Sequence, residues 1–231
     1  MIEVFPKNNH HNFVMSRFFR SRIPHQRFSH VVFDLDGTLT KPGAINFHGI
    51  RKRCNVPSGI DILAHIESHI DEEKRRELHK IVEEEEHIGL QRLELQDHCD
   101  ELFDFLHQQQ VKSAILTRNN DTVMMKSLEK MKRGSSAFHI LVSRSFTPTK
   151  PSPEPLYHIA QTFGIQASDL IMVGDSIDDI ACAKNAGSFA ILIGNESSVH
   201  FNEALSLADA TISTLKELQE LFELLLVKKI N

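Results

Sequence analysis

Short apolar runs rich in β-branched residues recur along this 231-residue chain, each bounded by turn-forming residues. Residues 30–34, 112–117, 139–143, 170–174 and 189–193 have the length and continuous apolar character of strands buried on both faces. Residues 210–212 read as a short sixth strand. Between these runs the spacing turns helical. Residues 97–109 bring Cys99, Leu102, Phe103 and Leu106 to one face, and further helices are predicted over 121–132, 154–163, 176–185 and 215–227. Gly164 and Gly187 are natural helix stops. Strand and helix in alternation predict a doubly wound α/β fold with a parallel, Rossmann-like sheet.

One stretch breaks the alternation. Residues 43–96 are far longer than a single crossover helix requires. They read as helices over 60–69 and 71–87, punctuated by Pro57-Ser-Gly59 and by Gly89. The division this predicts is a core of 30–42 and 97–231, a helical cap of 43–96 inserted after the first strand, and a basic extension of 1–29. The acidic run Glu83 to Glu86 reads as a solvated helix face, because four consecutive helical residues point all round and cannot converge on a metal.

Composition narrows the function classes. Apolar residues make up 41% and charged residues 25%, enough for a sizeable core and unlike a collagen, coiled-coil or disordered chain. A formal net charge of −5 argues against a nucleic-acid partner. Cys54, Cys99 and Cys182 lie far apart with no CxxC, which excludes a disulfide framework and points to a reducing compartment. The histidines are scattered, so no zinc site is expected. No apolar run approaches the ~18 residues that cross a bilayer, so no membrane role is expected either. Residues 1–29 are acid-poor and interleave Arg17, Arg20, Arg22 and Arg27 with Phe13, Phe18 and Phe19. The expected compartment is the cytoplasm; the alternative is a mitochondrion or plastid, if this stretch, which has the composition of a presequence, is one and not merely a weakly ordered basic extension. A monomer or homodimer is expected.

The chemistry gathers just past the strands, where open α/β sheets bind ligands. The first strand runs into Asp34-Leu-Asp-Gly-Thr-Leu39, in which two acids two residues apart can face the same way and Gly37 permits a sharp turn. The fourth runs into Gly174-Asp-Ser-Ile-Asp-Asp179. Carboxylates crowded in this way repel, and Mg²⁺ resolves the conflict while sharing phosphate oxygens. The second strand ends in Thr117-Arg118-Asn119, supplying a hydroxyl, a cation and free N–H groups. Lys150 lies in a proline-stiffened loop suited to clamping a phosphate. Each feature has a structural alternative: a strand-ending turn, a capping box of Ser176 with Asp179, an N-cap at Thr117, a surface lysine at Lys150. Their shared position favours a phosphoryl-transfer site. Arg51, Lys52 and Arg53 form a basic cluster in the cap, either a solvated surface or a contact for an anionic substrate.

At these residues the sequence resembles the haloacid dehalogenase superfamily of phosphohydrolases, over Ser29 to about Ile212. The cap resembles the C1 type of the phosphoglycolate phosphatase-like branch. The Pro57-Ser-Gly-Ile-Asp-Ile-Leu63 and Ile115-Leu-Thr-Arg-Asn119 stretches look most like uncharacterised members from plants and other eukaryotes. The resemblance implies that Asp34 is a nucleophile forming an aspartyl-phosphate and Asp36 a general acid and base. It implies Mg²⁺ held by Asp34, the Asp36 carbonyl and Asp175, with Asp179 assisting. It implies phosphoryl oxygens held by Thr117 and Lys150. The implied activity is hydrolysis of a small phosphorylated metabolite, with a phosphomutase or a non-catalytic phosphate-binding scaffold as alternatives. Related sequences carry a Pro-Gly turn where this chain reads Leu95-Gln-Asp-His98.

Overall fold

The computed structural model describes residues 29–194 and 201–227. Six parallel strands form one sheet: β1 (His30–Phe33), β2 (Lys112–Leu116), β3 (Ile140–Val142), β4 (Leu170–Gly174), β5 (Phe189–Ile193) and β6 (Ala210–Ile212). Their order is β3-β2-β1-β4-β5-β6. The chain therefore winds outward from β1 in one direction and returns to continue from β4 in the other. The switch between β1 and β4 leaves a crevice at their carboxyl ends.

The strands are mostly apolar because both faces are covered. Val31 and Phe33, Ile171 and Val173, and Ile191 and Ile193 enter one core layer. Val32, Met172 and Leu192, alternating with them, enter the other. Helices α4 (Cys99–Gln108), α5 (Asp121–Leu128) and α9 (Leu215–Val227) cover the first face; α6 (Glu154–Phe163), α7 (Ile177–Ala186) and α8 (Phe201–Leu207) cover the second. The expected helix over 121–132 stops at Leu128, where Lys130 N–H and Met131 N–H turn back to Ser127 and Leu128 carbonyls. Helix α8 was not expected from the sequence. The basic extension up to residue 28 lies outside the described residues. No described helix is long and apolar enough to cross a membrane.

Helices α1 (Phe47–Arg53), α2 (Ile62–Glu67) and α3 (Glu72–Arg92) are inserted between β1 and β2. They have their own small core of Ile45, Ile50, Cys54, Ile66, Leu78 and Val82. Three helices stand where two were expected. α1 is short, and Asn46 caps it by accepting from Gly49 N–H at 2.9 Å. α3 runs on to Arg92, so Gly89 does not punctuate it. A Cβ at Gly89 would lie 2.9 Å from Ile45 Cγ1 and 3.1 Å from the Ala44 carbonyl oxygen. The glycine permits close approach of α3 to the entering chain.

The two linkers to the insert run side by side. Lys41 N–H donates to Glu94 O and Gln96 N–H to Leu39 O, both at 2.8 Å. Past them, His98 adopts φ 65° immediately before α4, a left-handed conformation that glycine takes more readily. Gly89→Ala should lower stability by about 1 kcal/mol, the overpacking outweighing the helix-propensity gain. Urea unfolding followed by circular dichroism checks this; a raised midpoint contradicts it.

Candidate active site

The end of β1 sets the geometry. Asp34 N–H still joins the ladder, donating to Val173 O at 2.9 Å, and Leu35 turns into the core. The chain then folds back, with Leu39 and Thr40 N–H groups on the Leu35 carbonyl at 3.0 and 2.9 Å. Gly37 adopts φ +79°, and a Cβ there would lie 2.0 Å from Asp175 Oδ2. The glycine thus permits the turn and also lets Asp175, arriving from β4, approach Asp34 and Asp36.

Lys150 reaches this point from the loop after β3. Its Nζ lies 2.6 Å from Asp34 Oδ1, 2.6 Å from Asp179 Oδ1 and 2.9 Å from the Leu116 carbonyl oxygen. The side chain is 3% exposed, so this is a buried ion pair and not the surface lysine of the alternative reading. Burial works against the ammonium, but Asp179 and Asp34 prevail and hold its pKa above the usual lysine value. Asp179 does two things at once. Its Oδ2 accepts from Ser176 Oγ at 2.6 Å and from Ser176 N–H at 3.1 Å, making the capping box of α7, while Oδ1 faces Lys150. The expected capping box is therefore present, and the same carboxylate also pairs with Lys150.

Asp34, Asp175 and Asp179 each place a carboxylate oxygen within 4.8 Å of the others. Burial, reinforced by Asp179 and Asp36 against Lys150, pushes the Asp34 carboxyl up to about 7. Burial, then Asp34 and Asp179, push Asp175 up to about 8. The Asp36 side chain stands outside this trio and accepts from Asn119 Nδ2 at 2.6 Å; burial raises its pKa. Thr117 is buried at the end of β2, where its Oγ1 accepts from Asn119 N–H at 3.1 Å. Helix α5 is capped by Asn120, not Thr117.

Of these residues, Asp34, Asp36, Asn119, Lys150 and Asp175 floor a cavity of about 330 Å³ roofed by the insert. Two ion pairs join roof and floor. Arg118 binds Asp178 Oδ2 at 2.8 Å and Asp61, the N-cap of α2. Arg144 binds Glu86, whose other oxygen accepts from Asn120 Nδ2 at 2.8 Å. Glu86 is 4% exposed, which corrects the expectation that Glu83 to Glu86 form a solvated face. One member of that run turns inward; Glu84 and Glu85 pair with Arg53.

The sequence profile described as haloacid dehalogenase-like hydrolase matches residues 31–193. The chain belongs to this family. A haloacid dehalogenase-like hydrolase domain-containing protein of Arabidopsis thaliana is 36% identical over 85% of this chain and 84% of its own length. A phosphoglycolate phosphatase of Chromobacterium violaceum is 28% identical over 84% of this chain and 96% of its own. Among solved structures, a hydrolase from Pseudomonas syringae has the same fold, with a TM-score of 0.69 at 19% identity over 86% of this chain and 99% of that one.

In this haloacid dehalogenase-like hydrolase, three crowded carboxylates against one lysine leave two negative charges when all are ionised. The donor set is entirely hard oxygen, and Gly37 keeps the space beside Asp175 free of a side chain. Such a donor set fits a hard divalent cation. Asn119, Glu86 and Arg144 were not singled out from the sequence. Asn119 adjoins a motif, but Glu86 and Arg144 are 58 residues apart, and nothing in the linear pattern couples them.

Asp34 and Asp175 hold protons more tightly than the ordinary aspartate value of 3.8. Their protonation stabilises the fold below about pH 4, and that contribution is lost as pH rises through about 7 and 8. A cation competes with protons for the same oxygens. Saturating Mg²⁺ should therefore raise the melting temperature more at about pH 8 than at about pH 5.5, and Asp175→Asn should weaken the effect. An equal rise at both pH values contradicts the assignment.

Proposed function

We propose that this hydrolase is a Mg²⁺-dependent phosphatase acting on a small phosphorylated metabolite through an aspartyl-phosphate on Asp34. One observation carries the reading: a buried aspartate beside a buried lysine, with two further carboxylates, at the switch point of a parallel sheet and beneath a roofed cavity. The cavity volume suits a small molecule. The likeness to a phosphoglycolate phosphatase supports phosphate-ester hydrolysis. We take residues 43–96 as a cap on a core of 30–42 and 97–231, excluding water from the reacting groups.

Asp34 attacks phosphorus, and the bond from phosphorus to the ester oxygen breaks. Asp36 gives its proton to the departing alkoxide; burial favours the protonated form this step needs, and Asn119 fixes the carboxyl. Asp36 then accepts a proton from water as that water attacks the phosphoryl group. Inorganic phosphate leaves and Asp34 is restored. Lys150 orients Asp34 and, with the Thr117 hydroxyl and Arg118, offsets phosphoryl charge. Asp34, Asp175, the Asp36 carbonyl and Asp179 would hold Mg²⁺, which when bound would neutralise charge on the nucleophile and the phosphate.

The test is phosphate release from p-nitrophenyl phosphate and from a panel of metabolite phosphates, with Mg²⁺ or EDTA. Activity should require Mg²⁺. Asp34→Asn should lower kcat by at least about a thousandfold, and Asp36→Asn by about a hundredfold or more. Turnover that survives either EDTA or Asp34→Asn contradicts the proposal.

A further inference from the structure

Four cations line the cavity: Lys150, Arg118, Arg144 and Arg51. Three are matched by carboxylates. Lys150 faces Asp34 and Asp179, Arg118 faces Asp61 and Asp178, and Arg144 faces Glu86. Arg51, on α1 of the insert, has no carboxylate partner among the described residues. Its Nη1 donates only to backbone carbonyls, Ile60 O at 2.8 Å and Pro57 O at 3.4 Å. Carbonyl dipoles orient a guanidinium without cancelling its charge.

The basic cluster of the sequence therefore divides. Arg53 is tied to Glu84 and Glu85 outside, Lys52 is exposed, and Arg51 alone of the three lines the cavity. With Nη1 occupied, the remaining Nε and Nη2 edge of Arg51 is the planar fork that binds carboxylate or phosphate through two parallel hydrogen bonds. The carbonyls hold the guanidinium in place, so little freedom is lost when an anion docks. Ile50, Ile62, Leu63 and Val82 line the same cavity and lower the dielectric around such a contact. The phosphoryl-handling residues stand on the sheet edge and Arg51 stands on the insert, so the two address different parts of one ligand.

We propose that Arg51 selects the substrate by binding a second anionic group, carboxylate or phosphate, remote from the phosphoryl group that is transferred. The proposal rests on the phosphatase reading of the site. It makes the substrate class a phosphate monoester carrying another negative charge.

The test reads binding apart from turnover. In full-length Asp34→Asn with Mg²⁺, calorimetry compares ethyl phosphate, which has one anionic group, with phosphoglycolate and with propane-1,3-diol bisphosphate. One of the doubly anionic esters should bind about ten- to a hundredfold tighter than ethyl phosphate. Whichever does so distinguishes a carboxylate from a phosphate as the second group. Adding Arg51→Gln should collapse the ratio towards one, and Arg51→Lys should restore part of it. A purely structural brace would weaken all three ligands together and leave the ratio intact. In the Arg51 protein, equal affinity for the three esters, or binding of none, overturns the proposal, as does a preference that survives Arg51→Gln. A preference lost in Arg51→Gln, beside a wild type that hydrolyses no ester, upholds Arg51 and removes the phosphatase reading instead.

Discussion

The Lys150 ammonium, 2.6 Å from Asp34 and from Asp179, is where the elements of the site meet. Asp34 comes from β1, Asp179 from α7 after β4, the Leu116 carbonyl from β2, and Lys150 itself from the loop after β3. Removing one partner of a buried pair of this kind costs on the order of 3–5 kcal/mol, because the other charge is left buried and unpaired. The site is thus part of what fixes the loops at the carboxyl edge of the sheet. The pairing is also incomplete. One ammonium cannot balance Asp34, Asp175 and Asp179, and burial, with the neighbouring carboxylates adding to it, raises the pKa values of Asp34 and Asp175. That excess of negative charge makes a divalent cation a chemically reasonable neighbour, and such a cation would in turn offset the charge of a phosphoryl group there.

The insert closes the space above this centre. Two ion pairs join it to the sheet edge, Asp61 with Arg118 and Glu86 with Arg144. The linkers join the same machinery: Gln96 Nε2 donates to the Gly37 carbonyl at 3.1 Å, within the turn that carries Asp36.

Much of this was legible in the sequence because the governing signals are local. Strands buried on both faces leave continuous apolar runs, and all six lie where the pattern put them, with β3 trimmed to three residues at the sheet edge. Asp34, Asp36, Asp175 and Asp179 could be read because each follows a strand closely, and a parallel sheet brings such positions to one edge. What escaped depends on tertiary contact. Gly89 looked like a helix stop, but its role is set by Ile45 and Ala44, some forty residues earlier. Glu86 looked solvated because its partner Arg144 lies beyond two further strands. Helices α1 and α8 have seven residues each, too few to show a convincing period. Arg51 was visible as a member of a basic cluster, but only the packing of α1 distinguishes it from Lys52 and Arg53.

The central claim is that Asp34 itself carries the phosphoryl group. The most direct measurement is to quench the protein during turnover, reduce it with borohydride and map it by mass spectrometry. An acyl phosphate on Asp34 would be reduced to homoserine at that position, and the account predicts this product only when substrate and Mg²⁺ are both present. Continued phosphate release with an unmodified Asp34, or with reduction at a different carboxylate, would contradict it.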